Sequence, residues 1–90
     1  MNVREWQAFV AVYDQGSFTR AARSLGTAQS NISARIRNLE TTIGIRLFVR
    51  RYRVVIPTEK AELLYTRIKP AIATLDTMSR ELVPPQSRLT

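Results

Sequence analysis

The sequence predicts a mainly α fold in which one short β-hairpin interrupts a series of helices. Three observations support this fold class. Two short segments with helical apolar spacing lie on either side of the step "LGTA". The stretch "IRLFVRRYRVVIPT" is rich in β-branched and aromatic residues, with the basic residues "RRYR" between two apolar runs. Helical spacing then returns from residue 58 to about residue 82, which predicts one long final helix.

Residues 2–15 are predicted to form the first helix. Its apolar stripe comprises Val3, Trp6, Val10 and Tyr13, and Phe9 widens the stripe. Asn2 is suited to cap the amino end, with Glu5 as its capping-box partner three residues later. Gly16 is a natural stop. Trp6 and Phe9 could stack on a ligand, but packing in the core is the better interpretation of their helical spacing.

The segment "SFTRAARSLG" predicts a short second helix that Ser17 opens and Gly26 closes. The residues expected to face inward are Phe18, Ala21, Ala22 and Leu25. A third helix is expected over residues 28–43, with Thr27 as its N-cap and Gly44 at its end. Two short helices joined by a tight turn that contains glycine predict a helix-turn-helix.

Beyond Gly44 the pattern predicts two short strands, residues 47–49 and 54–56, joined by a basic turn. Pro57 should end the second strand. Such a hairpin beside a helix-turn-helix is a wing, so residues 1–57 are expected to form a winged helix-turn-helix of three helices and a two-stranded wing.

The final helix, over residues 58–82, is expected to act as a dimerisation linker. Its apolar seam includes Tyr65, Ile68, Ile72, Leu75 and Leu82. At about 1.5 Å per residue it would be roughly 37 Å long, more than a small domain can cover. Part of it should pack on the first helix and the rest on a second copy. Pro70 should kink this helix or start a second one. Residues 83–90 are expected to be a tail or a truncated hinge to an absent effector domain.

Composition argues against several classes of function. The chain has no cysteine and no histidine, which removes the thiol nucleophile and the commonest general base and metal ligand. Its seven acids are scattered without a paired-carboxylate spacing. We therefore expect no enzyme, no metal and no cofactor. The chain also has no apolar run near the roughly 20 residues of a membrane span, so a cytoplasmic, nucleoid-associated protein without a membrane partner is expected.

Charge is the strongest indication of a partner. The net charge is +7, and twelve of the fourteen basic residues are arginine. Six arginines lie within nineteen residues that contain a single acid, Glu40; they are Arg35, Arg37, Arg46, Arg50, Arg51 and Arg53. Such a cluster is typical of a protein that binds a polyanion. The alternative is a solvated basic face with no partner.

The third helix has an outer face without acids. Its inner stripe is Ile32, Ile36 and Leu39, whereas the outer positions are Gln29, Ser30, Asn31, Arg35, Arg37 and Asn38. Amides can form forked pairs with adenine, and arginine can form them with guanine. An acid on this face would be repelled in the negative potential of a major groove, so the pattern favours insertion into duplex DNA.

Three segments, "FVAVYDQGSFTRAARSL", "AQSNISARIRNLE" and "GIRLFVRRYRVVIPT", are similar to the N-terminal DNA-binding domain of LysR-type transcriptional regulators. The similarity runs from about Val3 to Leu82. It implies a bacterial regulator with a winged helix-turn-helix and a dimerising linker helix. Where family members often have proline, this chain has Ser30; where they often have a long polar side chain, it has Ala34. The glycine that usually follows the wing is replaced by Ala61, which should favour the helix.

The resemblance also implies roles for individual residues. The base-reading positions are Gln29, Ser30, Asn31 and Ala34, and Ala34 could contact only a thymine methyl group. Positions that bind phosphate are Ser33 and Arg37, and Arg53 matches the wing arginine that reaches toward the minor groove. We add Arg35 as a base reader, although it could equally lie along a phosphate. Arg50 and Arg51 should strengthen binding with little sequence information.

The expected partner is double-stranded DNA with an interrupted inverted repeat, bound by a homodimer that could become a tetramer in a full-length protein. Two other functions use the same sequence features. An RNA-binding module would need aromatic side chains for stacking, and only Tyr52 is expected to be exposed. A protein-interaction module would use the linker helix alone and leave the basic face without a role.

Overall fold

The computed structural model describes residues 1–82. Its elements are α1 (Val3–Gln15), α2 (Phe18–Ser24), α3 (Gln29–Ile43), β1 (Phe48–Arg51), β2 (Val54–Pro57) and α4 (Glu59–Leu82). The predicted fold class is confirmed: three helices and a two-stranded antiparallel wing precede a long final helix. The predicted tail, residues 83–90, lies outside the described residues.

The ends of α1 and α3 follow local rules, with one correction. The capping box on α1 is present: the Glu5 amide donates to the Asn2 side chain at 2.9 Å, and the Asn2 amide donates to Glu5 at 3.2 Å. Gly16 and Gly44 end their helices in the left-handed conformation, at φ 64° and 69°. The prediction that Thr27 caps α3 is wrong. α3 begins one residue later than expected, so Ala28 is the N-cap, and its methyl side chain can accept no hydrogen bond.

The core lies between α1, α2 and α3 and the start of the wing. Its largest fully buried side chains are Phe9, Val12, Ile32, Leu39 and Leu47. The predicted stripe of α1 is displaced: Val3 is 46% exposed, and the fully buried positions are Ala8, Phe9 and Val12. α1 is apolar on two sides, since α2 and α3 cover one and α4 packs against the other. The prediction that Leu25 faces the core is also wrong. Leu25 is the C-cap of α2, and it is 40% exposed.

The first strand of the wing is displaced from its predicted position, whereas the second begins at Val54 as predicted. Leu47 is fully buried ahead of β1, which begins at Phe48, and Pro57 is the last residue of β2, as expected, where it pairs with Phe48. Thr58 joins the wing to α4. Its amide donates to the Leu47 carbonyl at 2.9 Å, and its hydroxyl donates to the Arg46 carbonyl at 2.6 Å. The same hydroxyl accepts the Ala61 amide, so Thr58 caps α4 while it anchors the base of the wing.

α4 is one helix of 24 residues, about 36 Å long at 1.5 Å per residue. It contains Pro70, so the alternative that a second helix begins there is wrong. Ala61 is fully buried, and the first half of α4 packs against α1, as expected. Within residues 1–82, every helix is too short or too polar to traverse a lipid bilayer.

Candidate nucleic-acid interface

The outer face of α3 is polar, exposed and turned away from the core. Ile32, Ile36 and Leu39 are buried on the inner side. At about 100° per residue, the positions most nearly opposite are Ser30, Ala34, Arg37 and Thr41, and all of them are exposed. This face can therefore approach a flat or convex partner without moving the core.

Asn31 and Arg35 lie on one flank of that face. The Asn31 amide group donates to the Thr27 hydroxyl at 2.8 Å, which orients the amide. Its second N–H and its carbonyl oxygen are still available, and a forked pair with adenine needs only these two groups. Arg35 is half-buried and so lies closer to the core than Asn31, which is exposed.

Gln29 and Ser33 lie on the side of α3 that faces the wing. The Gln29 side chain donates to the Ser33 hydroxyl at 3.4 Å, a long bond that a stronger acceptor could replace. Gln29 is exposed and Ser33 is half-buried. Gln29 also borders a concave surface of about 420 Å³ that includes Arg50 and Arg53, so the start of α3 and the wing lie on one side of the molecule.

The three wing arginines are exposed but held differently. The Arg50 guanidinium lies over the Phe18 ring, 4.8 Å from its centroid, at a distance typical of a cation–π contact. Phe18 in turn meets Phe48 edge to face at 6.2 Å. In the described part of the chain, the side chains of Arg51 and Arg53 have no hydrogen bond or ion pair. Arg50 is thus positioned by the protein, whereas the other two extend into solvent.

The one acid of this region, Glu40, is half-buried on the flank of α3 that faces the wing. Its carboxylate accepts the Leu47 amide at 2.7 Å and so joins the end of α3 to the base of the wing. It also borders a cleft of about 500 Å³ whose lining includes Arg37, Arg46 and Arg50. The acid thus links α3 to the wing, and it is not among the α3 positions most nearly opposite the core.

The ion pairs of the described residues lie elsewhere. Lys69 meets Asp14 at 3.2 Å, and the amino terminus meets Glu5 at 3.5 Å. Tyr65 stacks on Tyr13 with 3.8 Å between ring centroids, and its hydroxyl donates to Asp14. Burial raises the pKa of Tyr65, and its bond to Asp14 raises it further, while Lys69 acts in the opposite direction. The bonds to Tyr65 and Asp14 raise the pKa of Lys69.

The structure thus brings most of the predicted site residues to one side. The exposed members are Gln29, Ser30, Asn31, Ala34, Arg37, Arg50, Arg51 and Arg53, and the half-buried ones are Ser33 and Arg35. Sequence analysis missed three supporting residues, namely Thr27, Phe18 and Glu40. The spacing of four between Thr27 and Asn31 was a usable signal. Contacts of Phe18 and Glu40 with the wing had no such signal, because they join segments distant in sequence.

The predicted seam of α4 divides into two parts. Tyr65 and Ile68 pack against the core of their own chain. Ile72 is half-buried beside α1, whereas Leu75 and Leu82 are 44% and 76% exposed. The exposed part of the seam therefore lies in the distal half of the helix, at Leu75 and Leu82.

Comparison with known proteins identifies the class. Residues 3–62 match the family described as bacterial regulatory helix-turn-helix protein, lysR family. The chain therefore belongs to the LysR family of bacterial regulatory helix-turn-helix proteins. It is 38% identical over 86 residues to the transcriptional regulator PgrR of Escherichia coli K12, which covers 96% of this chain and 29% of that one. It is also 38% identical over 76 residues to PtxR of Pseudomonas aeruginosa, covering 84% and 24%.

Solved structures agree with this assignment. The BenM DNA-binding domain in complex with benA site 1 DNA matches with a TM-score of 0.81 at 36% identity, covering 90% of this chain and 91% of that one. Oxidized OxyR of Corynebacterium glutamicum matches with a TM-score of 0.87 at 25% identity, covering 92% and 27%. The chain thus spans less than a third of the length of the named regulators and of OxyR.

Proposed function

We propose that this chain is the sequence-specific, double-stranded DNA-binding unit of a LysR-type transcriptional regulator. α3 enters the major groove, and the basic wing, residues 50–53, lies on the backbone and reaches toward the minor groove. One observation carries the proposal: α3 and the wing present exposed amides and arginines on one side, while the acid among them is half-buried and bonded to the Leu47 amide. The BenM complex with DNA, at 36% identity over 90% of the chain, supports the same partner.

In this proposal, base recognition comes from the amino-terminal half of α3. Asn31, oriented by Thr27, is suited to adenine, and Gln29 can exchange its long bond to Ser33 for a base edge. Ser30 and Ala34 are small, so they let the helix backbone approach the groove closely. The half-burial of Arg35 favours its alternative role along a phosphate.

Phosphate contacts then hold the unit in register. Arg37 is exposed beside the cleft to the wing, and Arg50 is held over Phe18 on the opposite wall of that cleft. These side chains form charge-assisted bonds with phosphate oxygens and contribute little sequence information. Ser33 adds a neutral hydroxyl contact to the backbone.

We further propose that two copies pair through α4. Leu75 and Leu82 leave apolar surface on the distal half of the helix, beyond the part that packs on α1. Two paired copies would place their α3 helices on successive faces of the DNA, so the operator should be an interrupted inverted repeat. Because Tyr65 and Ile68 already pack within the chain, most of the dimer contact should come from residues beyond Pro70.

Selection from random duplex DNA, followed by sequencing of the retained molecules, tests this function. We expect an enriched, interrupted inverted repeat. Enrichment of a single half-site would contradict pairing through α4 but not base recognition. Retention without any enriched sequence would reduce the protein to a phosphate-binding domain. The same selection with Asn31→Ala should lose information at one position per half-site, worth about 1–3 kcal/mol of discrimination, while affinity for random duplex changes little.

A further inference from the structure

The turn at the tip of the wing carries two residues in a conformation that their side chains disfavour. Arg51 pairs with Val54, so Tyr52 and Arg53 alone form the connection between the strands. Both lie in the left-handed region, at φ 55° and 65°. A two-residue turn with both central residues at positive φ favours Asn, Asp or Gly, because a Cβ atom crowds the backbone there. Tyrosine is an unfavourable choice for this position.

No contact of Tyr52 with the described part of the chain offsets this strain. Its side chain is 93% exposed. Within residues 1–82, the six other aromatic side chains all make ring contacts; they are Trp6, Phe9, Tyr13, Phe18, Phe48 and Tyr65. Among the described residues, Tyr52 takes part in none of these contacts and in no hydrogen bond. Strained residues without compensating contacts occur mainly where they serve binding, so the outlier indicates a function.

The surroundings of Tyr52 indicate which partner it meets. Arg51 precedes it and Arg53 follows it, and both are exposed. Arg53 also lines the concave surface that includes Gln29 at the start of α3, so the tip projects on the same side as the proposed recognition helix. A tip beside a helix in the major groove meets the sugar–phosphate backbone and the adjoining minor groove. Deoxyribose rings there offer apolar surface between the phosphates that arginines bind.

We propose that Tyr52 is a DNA contact residue whose ring packs on the deoxyribose rings at the edge of the minor groove, between phosphates held by Arg51 and Arg53. The inference rests on the proposed function and deepens it. Tyrosine suits such a contact, because it buries a large rigid surface while only two side-chain torsions become ordered. The contact is uncharged and insensitive to base identity, so it adds affinity without adding salt dependence or sequence preference.

Two substitutions in the whole chain test the proposal. Tyr52→Asn removes the ring and places a residue suited to positive φ in the turn, so its melting temperature should rise. Its affinity for duplex DNA should fall about tenfold, equivalent to 1.4 kcal/mol, by similar factors on the selected operator and on random duplex. The slope of log affinity against log salt should stay unchanged, because no phosphate contact is lost. Tyr52→Phe keeps the ring and should bind as the native chain does.

Each other result overturns part of the argument. Native affinity in Tyr52→Asn would show that the ring does not touch DNA. Contact with a protein would then be the remaining role for the tip of the wing. Equal losses in Tyr52→Asn and Tyr52→Phe would assign the effect to the hydroxyl. A lower salt slope in Tyr52→Asn would mean that the turn acts only by placing the arginines, and an unchanged melting temperature would refute the strain. If the native chain binds no duplex DNA, the proposed function fails and this inference fails with it.

Discussion

Charged side chains have partners within the described part of the chain at the junction of α1 with α4, whereas most of those on the side formed by α3 and the wing do not. At the junction, Asp14, Tyr65 and Lys69 satisfy one another within the chain. On the other side, within the described residues, the side chains of Arg37, Arg51 and Arg53 have no hydrogen bond or ion pair. The acid there, Glu40, bonds to a backbone amide instead. Charged side chains are thus paired at the junction of α1 with α4, and arginines remain available on the side where a partner is proposed.

Glu40 and Asp14 provide the sharpest test of this contrast. Glu40 accepts a backbone amide, whereas Asp14 pairs with the side chain of Lys69. Glu40→Ala should lower the free energy of unfolding by about 1–3 kcal/mol, since it leaves the buried Leu47 amide without its acceptor. Asp14→Ala removes an exposed ion pair and one hydroxyl contact and should cost about 1 kcal/mol or less. Denaturant titration of both variants measures the difference.

Glu40→Gln is the matched control, because its amide oxygen can still accept the Leu47 amide. It should keep most of the stability that Glu40→Ala loses. If Gln destabilises the chain as much as Ala does, the negative charge of Glu40 matters, and its described role as an acceptor for the wing is insufficient.

Arg53 and Lys69 extend the comparison to binding, since replacing either with alanine removes one positive charge. Arg53→Ala should weaken duplex binding about tenfold, or 1.4 kcal/mol, and lower the salt slope by about 0.9, as expected for one lost phosphate contact. Lys69→Ala should leave both quantities unchanged, because Lys69 is engaged by Asp14 and belongs to the junction. Binding titrations over a range of salt concentrations compare the two. Equal effects would mean that only net charge matters.

Sequence patterns sufficed for most of this architecture because the elements here are governed by local rules. The capping box of Asn2 and Glu5, the glycine ends of α1 and α3, and the hairpin around "RRYR" each follow from a few neighbouring residues. The stripe of α1 was misplaced because a helix covered on two sides has no single apolar face. α4 passes through Pro70 unbroken, since an exposed proline costs a helix one hydrogen bond without requiring it to end.

The residues of the candidate site could be predicted from the sequence, but the contacts that position them could not. Polar spacing along α3 identified the exposed amides, and charge density identified the wing. The bond between Glu40 and the Leu47 amide and the contact of Arg50 with Phe18 depend on how separate segments pack. Single-sequence reasoning has no access to such contacts, and these contacts decide which charges are free for a partner.

Alkaline titration of the junction should produce the smallest effect and the most specific one. Tyr65 and Lys69 both have a raised pKa in the folded protein. Groups whose folded pKa is raised contribute stability that is fully present below the unfolded pKa and is lost as the pH rises through the folded value. The free energy of unfolding should therefore decline above roughly pH 10.

Tyr65→Phe removes one of these groups and the main bond that raises the pKa of Lys69, so the decline should become shallower. Near pH 7 the same substitution should cost under about 1 kcal/mol, because its lost bond is exposed. A decline of unchanged steepness in Tyr65→Phe would show that other groups govern alkaline unfolding and that the junction is only a packing contact. Duplex binding at pH 7 should be the same in Tyr65→Phe as in the native chain, which would separate the junction from the DNA-facing side.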